Sequence, residues 1–317
     1  MAENTLLHDT LLEYIQANVR FSPIHLTYYN GSMGSKALRT AMSHFVNRHF
    51  NPFRPVEPHQ IAMTNGCSSA IEQLSWTFLN PGEAVLLGKP YYSTFIPDIS
   101  LRPEAVVVTV EFGDLDPLSP EVVDHYDRAA ADFEAHTERR RRQMHLISDE
   151  IYALSLWENR VDKDCKFDPS DSVLSRDTTG LIDANLMHVL WGMSKDFGAN
   201  GLRVGAIISQ SSPDLHVAQR SLSLYAFVSG FSDKITASTL RDDNFTDLYI
   251  NTNQKKLSDA HEFFIRMLKQ HGIEYATGAN AGSFLWINLG KKYMERHAGK
   301  EAKASDITDI IHQELCI

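Results

Sequence analysis

What this sequence lacks narrows its chemistry before any motif is read. Cysteine is nearly absent: Cys67, Cys165 and Cys316 are the only three in 317 residues, an odd number with no CxxC spacing. Neither a disulfide framework nor a zinc site follows from such a set, and a reducing, cytoplasmic compartment is the expectation. Basic excess is missing too, with 30 Lys and Arg against 40 Asp and Glu and a formal charge of −10. That balance argues against nucleic acid or an anionic membrane surface as partner. No apolar run approaches the ~20 residues that span a bilayer. The start, MAENTLLHDTLLEYI, has neither the basic region nor the apolar stretch of a secretion signal. Neither HExxH nor GxxxxGK[ST] occurs, and no acidic residue lies between His44 and His49, so no metal is expected.

What is present is enough apolar material, 43% of residues, to bury a substantial core. Leu7, Leu11, Tyr14 and Ile15 recur at helical spacing and predict a helix over 6–19, and Lys36–His49 reads as a second. The prolines of NPFRPVEP mark a loop. Short apolar runs then alternate with helical stretches: IAMTNG, AVLLG, AVVVTVEF, HLISDEIY, LMHVLWG and RVGAIIS. Runs of this kind, without strict alternation, predict an α/β fold whose sheet is mostly parallel and sandwiched by helices. Past Ser232 one or two long helices and an isolated strand, GSFLWINL, are expected. The reading is a large domain over 22–231 and a smaller α+β domain made of 1–21 and 232–317. The Arg139–Arg142 run reads as a solvated helix face.

The segment MSKDFGANGLRVG, residues 193–205, concentrates the chemistry. Lys195 follows an apolar strand in a loop holding Gly198 and Gly201, with Arg203 eight residues on. Glycines let the backbone turn tightly and approach a ligand. An arginine so placed can return to the same site and grip a phosphate bidentately. Most lysines in such loops are solvated surface groups, but here apolar runs on both sides bury the loop's shoulders. Asp149 closes another apolar strand, and GCSSA falls where a strand gives way to a helix, a place where backbone N–H groups bind anions.

SKDFGANGLRVG resembles the Schiff-base lysine signature of class I/II aminotransferases and 1-aminocyclopropane-1-carboxylate (ACC) synthases, pyridoxal 5'-phosphate enzymes of fold type I. The likeness is nearest the ACC synthase-like branch, fungal members included. AENTLLHDTLLEYI, TNGCSSAIEQLSW, NPGEAVLLGKPYYSTF, HLISDEIYALS and GSFLWINL resemble the same family in the same order. The resemblance implies that Lys195 binds the cofactor aldehyde covalently and then moves the substrate Cα proton. It implies that Asp149 pairs with the pyridine nitrogen, Tyr152 hydrogen-bonds the phenolic oxygen and Tyr92 stacks on the ring. Cys67, Ser68, Ser194 and Arg203 would surround the phosphate, Tyr28 would reach the neighbouring subunit's phosphate in a homodimer, and Glu3 would lie in the substrate loop. The substrate implied is an α-amino acid, a small molecule.

Several departures accompany these matches. The family's NPxNPxG motif, whose Asn holds the phenolic oxygen, is absent, so one internal strand unit is expected to be missing. Gly192 stands where the family has the first serine of SxSK. The chain is expected to be incomplete at both ends, stopping before the arginine that clamps the substrate carboxylate. Arg266, Lys291, Lys292 and Arg296 are the cations left as poor replacements. Transamination is the leading activity, with a β- or γ-elimination lyase and a catalytically inert paralogue as rivals.

Overall fold

The computed structural model describes residues 3–28, 31–117, 119–137, 144–162 and 171–296. Helices form where the periodicity and caps predict them. Helix α1 spans His8–Asn18 and α2 spans Lys36–His49. Ser35 caps α2 by accepting from Leu38 N at 2.9 Å, and Leu38, Ala41, Met42, Phe45 and Val46 bury one continuous stripe. The other elements are β1 (Ile61–Thr64), α3 (Cys67–Phe78), β2 (Ala84–Gly88), α4 (Phe95–Ser100), β3 (Val106–Val110), α5 (Val123–Thr137), β4 (Leu146–Asp149), β5 (Met187–Gly192) and β6 (Gly205–Ile208). They are followed by α6 (Pro213–Leu222), α7 (Gly230–Leu240), the long α8 (Asp243–Gln270) and α9 (Leu289–Arg296). Asp242 caps α8 by accepting from Phe245 N at 3.0 Å.

Strand direction corrects the expectation of a mostly parallel sheet. The central sheet runs β1-β6-β5-β4; β1–β6 and β6–β5 pair antiparallel, and only β5–β4 pair parallel. Among the described residues, β2 and β3 form a separate parallel pair. One reversed strand, β6, accounts for both antiparallel ladders. It returns from β5 through the Lys195 loop, closed by Met193 N–H to Val204 O at 3.0 Å, and no crossover intervenes. The sequence pattern misled because both sheet faces are covered. Ile61, Met63, Val189, Trp191, Ala206 and Ile208 face one core with α2, while Ala62, Leu190 and Ile207 face the other with α3. Burial on two faces produces unbroken apolar runs whichever way the strands point.

GSFLWINL also departs from expectation. It forms no regular strand, only the isolated bridges Leu156 to Ala281 and Tyr275 to Ile287 at its margins. The Arg139–Arg142 run, Cys165, Cys316 and the end DIIHQELCI lie outside the described residues.

Candidate active site

Strand register explains why distant residues meet. In the parallel pair, Asp149 stands opposite Leu190, so the end of β4 and the turn after β5 leave the sheet at one edge. Gly205, at the start of β6, is paired with both Thr64 of β1 and Gly192 of β5. The start of α3, Arg203 and the Lys195 loop are thereby brought to that same edge. Gly192 is required by this packing: a Cβ there would lie 2.5 Å from Val204 O, which accounts for the departure from SxSK.

Arg203 is held over the start of α3. Its backbone is left-handed (φ +54°), a conformation costing an L residue about 1–2 kcal/mol. Its guanidinium donates to Asn200 O at 3.1 Å and Asn65 O at 3.3 Å. Gly66, also left-handed (φ +83°), has no room for a side chain, because a Cβ would collide with that guanidinium. Cys67 and Ser68 open α3 immediately afterwards.

The site's charges perturb one another. Burial pushes Asp149 up to about 6; the amide of Ile151, donating at 3.3 Å, and Lys195 oppose that rise. The carboxylate still opens onto a cleft, so the desolvation comes from the surrounding walls. Burial pushes Lys195 below the usual lysine range, against the pull of Asp149, Cys67 and Glu3. The Cys67 thiol is driven well up by burial and by Asp149, so it is a neutral lining group. Lys195 Nζ lies 5.7 Å from the centre of the Tyr152 ring. Burial and the charges of Tyr92, Asp196 and Asp149 raise the Tyr152 phenol, whose buried oxygen has no hydrogen-bond partner among the described residues. A buried hydroxyl without a partner is costly unless a ligand supplies one.

Most sequence-picked residues therefore converge: Lys195, Asp149, Tyr152, Arg203, Cys67 and Glu3, the last accepting from Asn200 Nδ2 at 3.2 Å. Tyr92 stands at the rim, 47% exposed, edge-on to Phe95. Ser194 is half-buried in the turn before Lys195. Ser68 lies near the Asp98 carboxylate, whose pKa burial raises and the Ser68 hydroxyl lowers. Tyr28 is not brought to this cluster: it is 86% exposed, with its ring edge-on to Phe227 at 5.9 Å.

Asp149 and Tyr152 border a cavity of about 430 Å³ that also touches Glu150 and Arg176. A larger cavity, about 660 Å³, lies between α1, α2, α7 and α8 and contains none of the candidate residues. Its carboxylates are committed, Asp233 to Ser35, Asp242 to Tyr14 and Phe245 N, and Asp243 to His44 and Arg48. The cations considered for a substrate carboxylate are engaged at the surface, Arg266 with Glu262, Lys291 with Glu274 and Lys292 with Glu295. The Arg296 side chain is outside the described residues.

Sequence reasoning passed over Asp196. This carboxylate, 1% exposed, accepts from Trp191 Nε1 (2.8 Å), Ser155 Oγ (2.6 Å) and Leu154 N (3.2 Å). Its one sequence signal was adjacency to Lys195, which says nothing about burial.

Comparison with known proteins places the chain in a family. The family described as "Aminotransferase class I and II" matches residues 1–122 and 133–314. The chain is 30% identical over 324 residues to the probable aminotransferase aclI of Aspergillus oryzae, covering 91% of this chain and 74% of that protein. It is 28% identical over 314 residues to 1-aminocyclopropane-1-carboxylate synthase 7 of Arabidopsis thaliana, covering 89% and 67%. Among solved structures it is similar to an aromatic aminotransferase from Pyrococcus horikoshii (TM-score 0.65, 16% identity, 93% and 80% covered). An aspartate aminotransferase from Thermotoga maritima is likewise similar (TM-score 0.63, 18% identity, 93% and 78% covered).

Proposed function

We propose, from the premise that this chain is a member of the class I and II aminotransferase family, that it transfers the amino group of an α-amino acid. Membership carries the coarser statement, a pyridoxal 5'-phosphate-dependent enzyme of fold type I acting on amino-acid-like substrates. Transamination is the finer reading. The observation behind it is the convergence of Lys195, Asp149, Tyr152 and Arg203 on one edge of the sheet.

The residues present fit the cofactor. The unpartnered Tyr152 hydroxyl suits its phenolic oxygen, Asp149 its ring nitrogen, and Arg203 with the start of α3 its phosphate. Tyr92 would cover a ring face, Cys67 and Ser194 would line the phosphate end, and Lys195 would hold the aldehyde carbon. When bound, the cofactor supplies an electron sink for the charge left on Cα. The protein's own share is positioning and proton handling. Burial leaves more of Lys195 Nζ unprotonated near neutral pH, so it can take and return the Cα proton. Asp149, ionised above about pH 6, keeps a negative charge facing the ring. Glu3, bonded to Asn200 beside the lysine loop, would border the substrate.

A homodimer is part of this proposal. Phe21, Leu26, Tyr28 and Tyr225 are exposed apolar side chains on neighbouring loops, and a second copy covering them would carry Tyr28 toward its site. The test is the absorbance of purified protein with added pyridoxal phosphate. A band lost on borohydride treatment, and converted by an amino acid with release of its keto acid, supports transamination. Release of ammonia with the keto acid identifies elimination, and no band at all overturns the cofactor reading.

A further inference from the structure

We propose that Asp196 is a positioning residue that fixes Lys195 against Tyr152. The proposal rests on the functional reading above for its purpose, and on geometry for its substance. Asp196 adjoins Lys195 in sequence and is all but removed from solvent. Every polar contact of its carboxylate is with a donor from one of two places. Trp191 Nε1 comes from β5, the strand that launches the lysine loop. Leu154 N and Ser155 Oγ come from the turn that begins at Tyr152. No cation neutralises the carboxylate among the described residues, so it is held by hydrogen bonds alone.

The backbone of Asp196 extends the linkage. Its carbonyl accepts from Asn253 Nδ2 of α8 at 3.4 Å, and Asn253 Oδ1 accepts from Asn4 Nδ2 at 2.8 Å. Asn4 adjoins Glu3. One residue therefore ties together the segments carrying Lys195, Tyr152 and Glu3, three groups with no covalent proximity. An ionised carboxylate suits the node because its three partners, two side chains and one backbone amide, all donate and it accepts only. Were it absent, the lysine loop and the tyrosine turn would share no side-chain hydrogen bond among those described, and the loop that carries Lys195 would be held less firmly against Tyr152.

The test reads Lys195 directly, in the full chain without cofactor. Acetylation by an amine-directed reagent, quantified at Lys195 by peptide mass spectrometry across pH 6–11 on the lysine scale, gives the midpoint of its titration. Asp196→Ala should raise that midpoint by about 0.7 unit, a roughly five-fold loss of reactive amine at pH 8. Asp196→Asn should restore it to within about two-fold, because an amide oxygen can accept from Trp191 and Leu154 while the Ser155 hydroxyl turns to accept from the amide. An Asp196→Ala protein that unfolds cooperatively yet titrates at Lys195 like wild type overturns the proposal. Should Asp196→Ala fail to fold, Ser155→Ala, which deletes one bond on the tyrosine side, decides: a raised midpoint supports the role and an unchanged one refutes it. Wild-type protein that forms no borohydride-reducible band with pyridoxal phosphate would refute the functional reading alone and leave this result standing.

Discussion

A buried histidine dyad should make the protein lose stability on mild acidification, by an amount that one substitution isolates. His188, in the middle of the sheet on β5, is 0% exposed. Its Nε2 pairs with His145 Nδ1 at 2.9 Å, its Nδ1 with Ser209 Oγ at 2.9 Å, and the two imidazoles stack beside Phe78. Burial first, then the neighbouring His145 and His216, lowers its pKa to about 4. The folded value lies below the unfolded value of ~6.5. Above pH 6.5 both states hold a neutral ring and nothing is gained or lost. As pH falls, the unfolded chain takes up a proton that the folded chain refuses, so stability declines between about pH 6.5 and 4. Carried to pH 5, two such pKa values correspond to a loss of about 2 kcal/mol. The neutral variant His188→Gln should be weaker at pH 7.5 but should lack this part of the decline. Asp149 and Asp196, whose folded pKa values are raised to about 6, act in the opposite sense and cancel in the comparison. Urea unfolding at pH 7.5 and 5.0 measures both slopes. If the wild-type and variant free energies fall in parallel, to within about 0.5 kcal/mol, the linkage argument is wrong.

Other expectations follow from the same geometry. Lys195→Ala should bind pyridoxal phosphate without a borohydride-reducible band; a persisting band would move the attachment to another lysine. Asp149→Ala should slow exchange of a bound amino acid's α-proton, checked by NMR in deuterated buffer, and an unchanged rate would remove Asp149 from its role. Phe45→Ala should cost about 3–5 kcal/mol in denaturant unfolding, because Phe45 is fully buried against Trp191 at 4.9 Å and Phe197 at 5.8 Å. Gly192→Ser should destabilise by about 1–3 kcal/mol through overpacking against Val204 O, even though it restores a family-like serine.

The sequence by itself determined the local elements and the chemistry-bearing loop. Ser35 and the stripe from Leu38 to Val46 specify α2 through contacts made within one helix, and Lys195 declared itself through its glycines and the strand before it. Such signals are legible because the forces behind them, capping, periodicity and backbone freedom, act over a few residues. Only the tertiary structure decided the direction of β6, since an apolar run buried on both faces looks the same read either way. It alone showed Tyr28 to be exposed and apart from the cluster of its own chain, and Gly192 to be a steric necessity. Asp196 is the sharpest case. Its partners lie five residues back and roughly forty residues upstream, and no pattern in the chain announces that two loops will close over one carboxylate. Hydrogen-bond networks among segments remote in sequence are set by how the layers pack, and packing is a property of the whole fold.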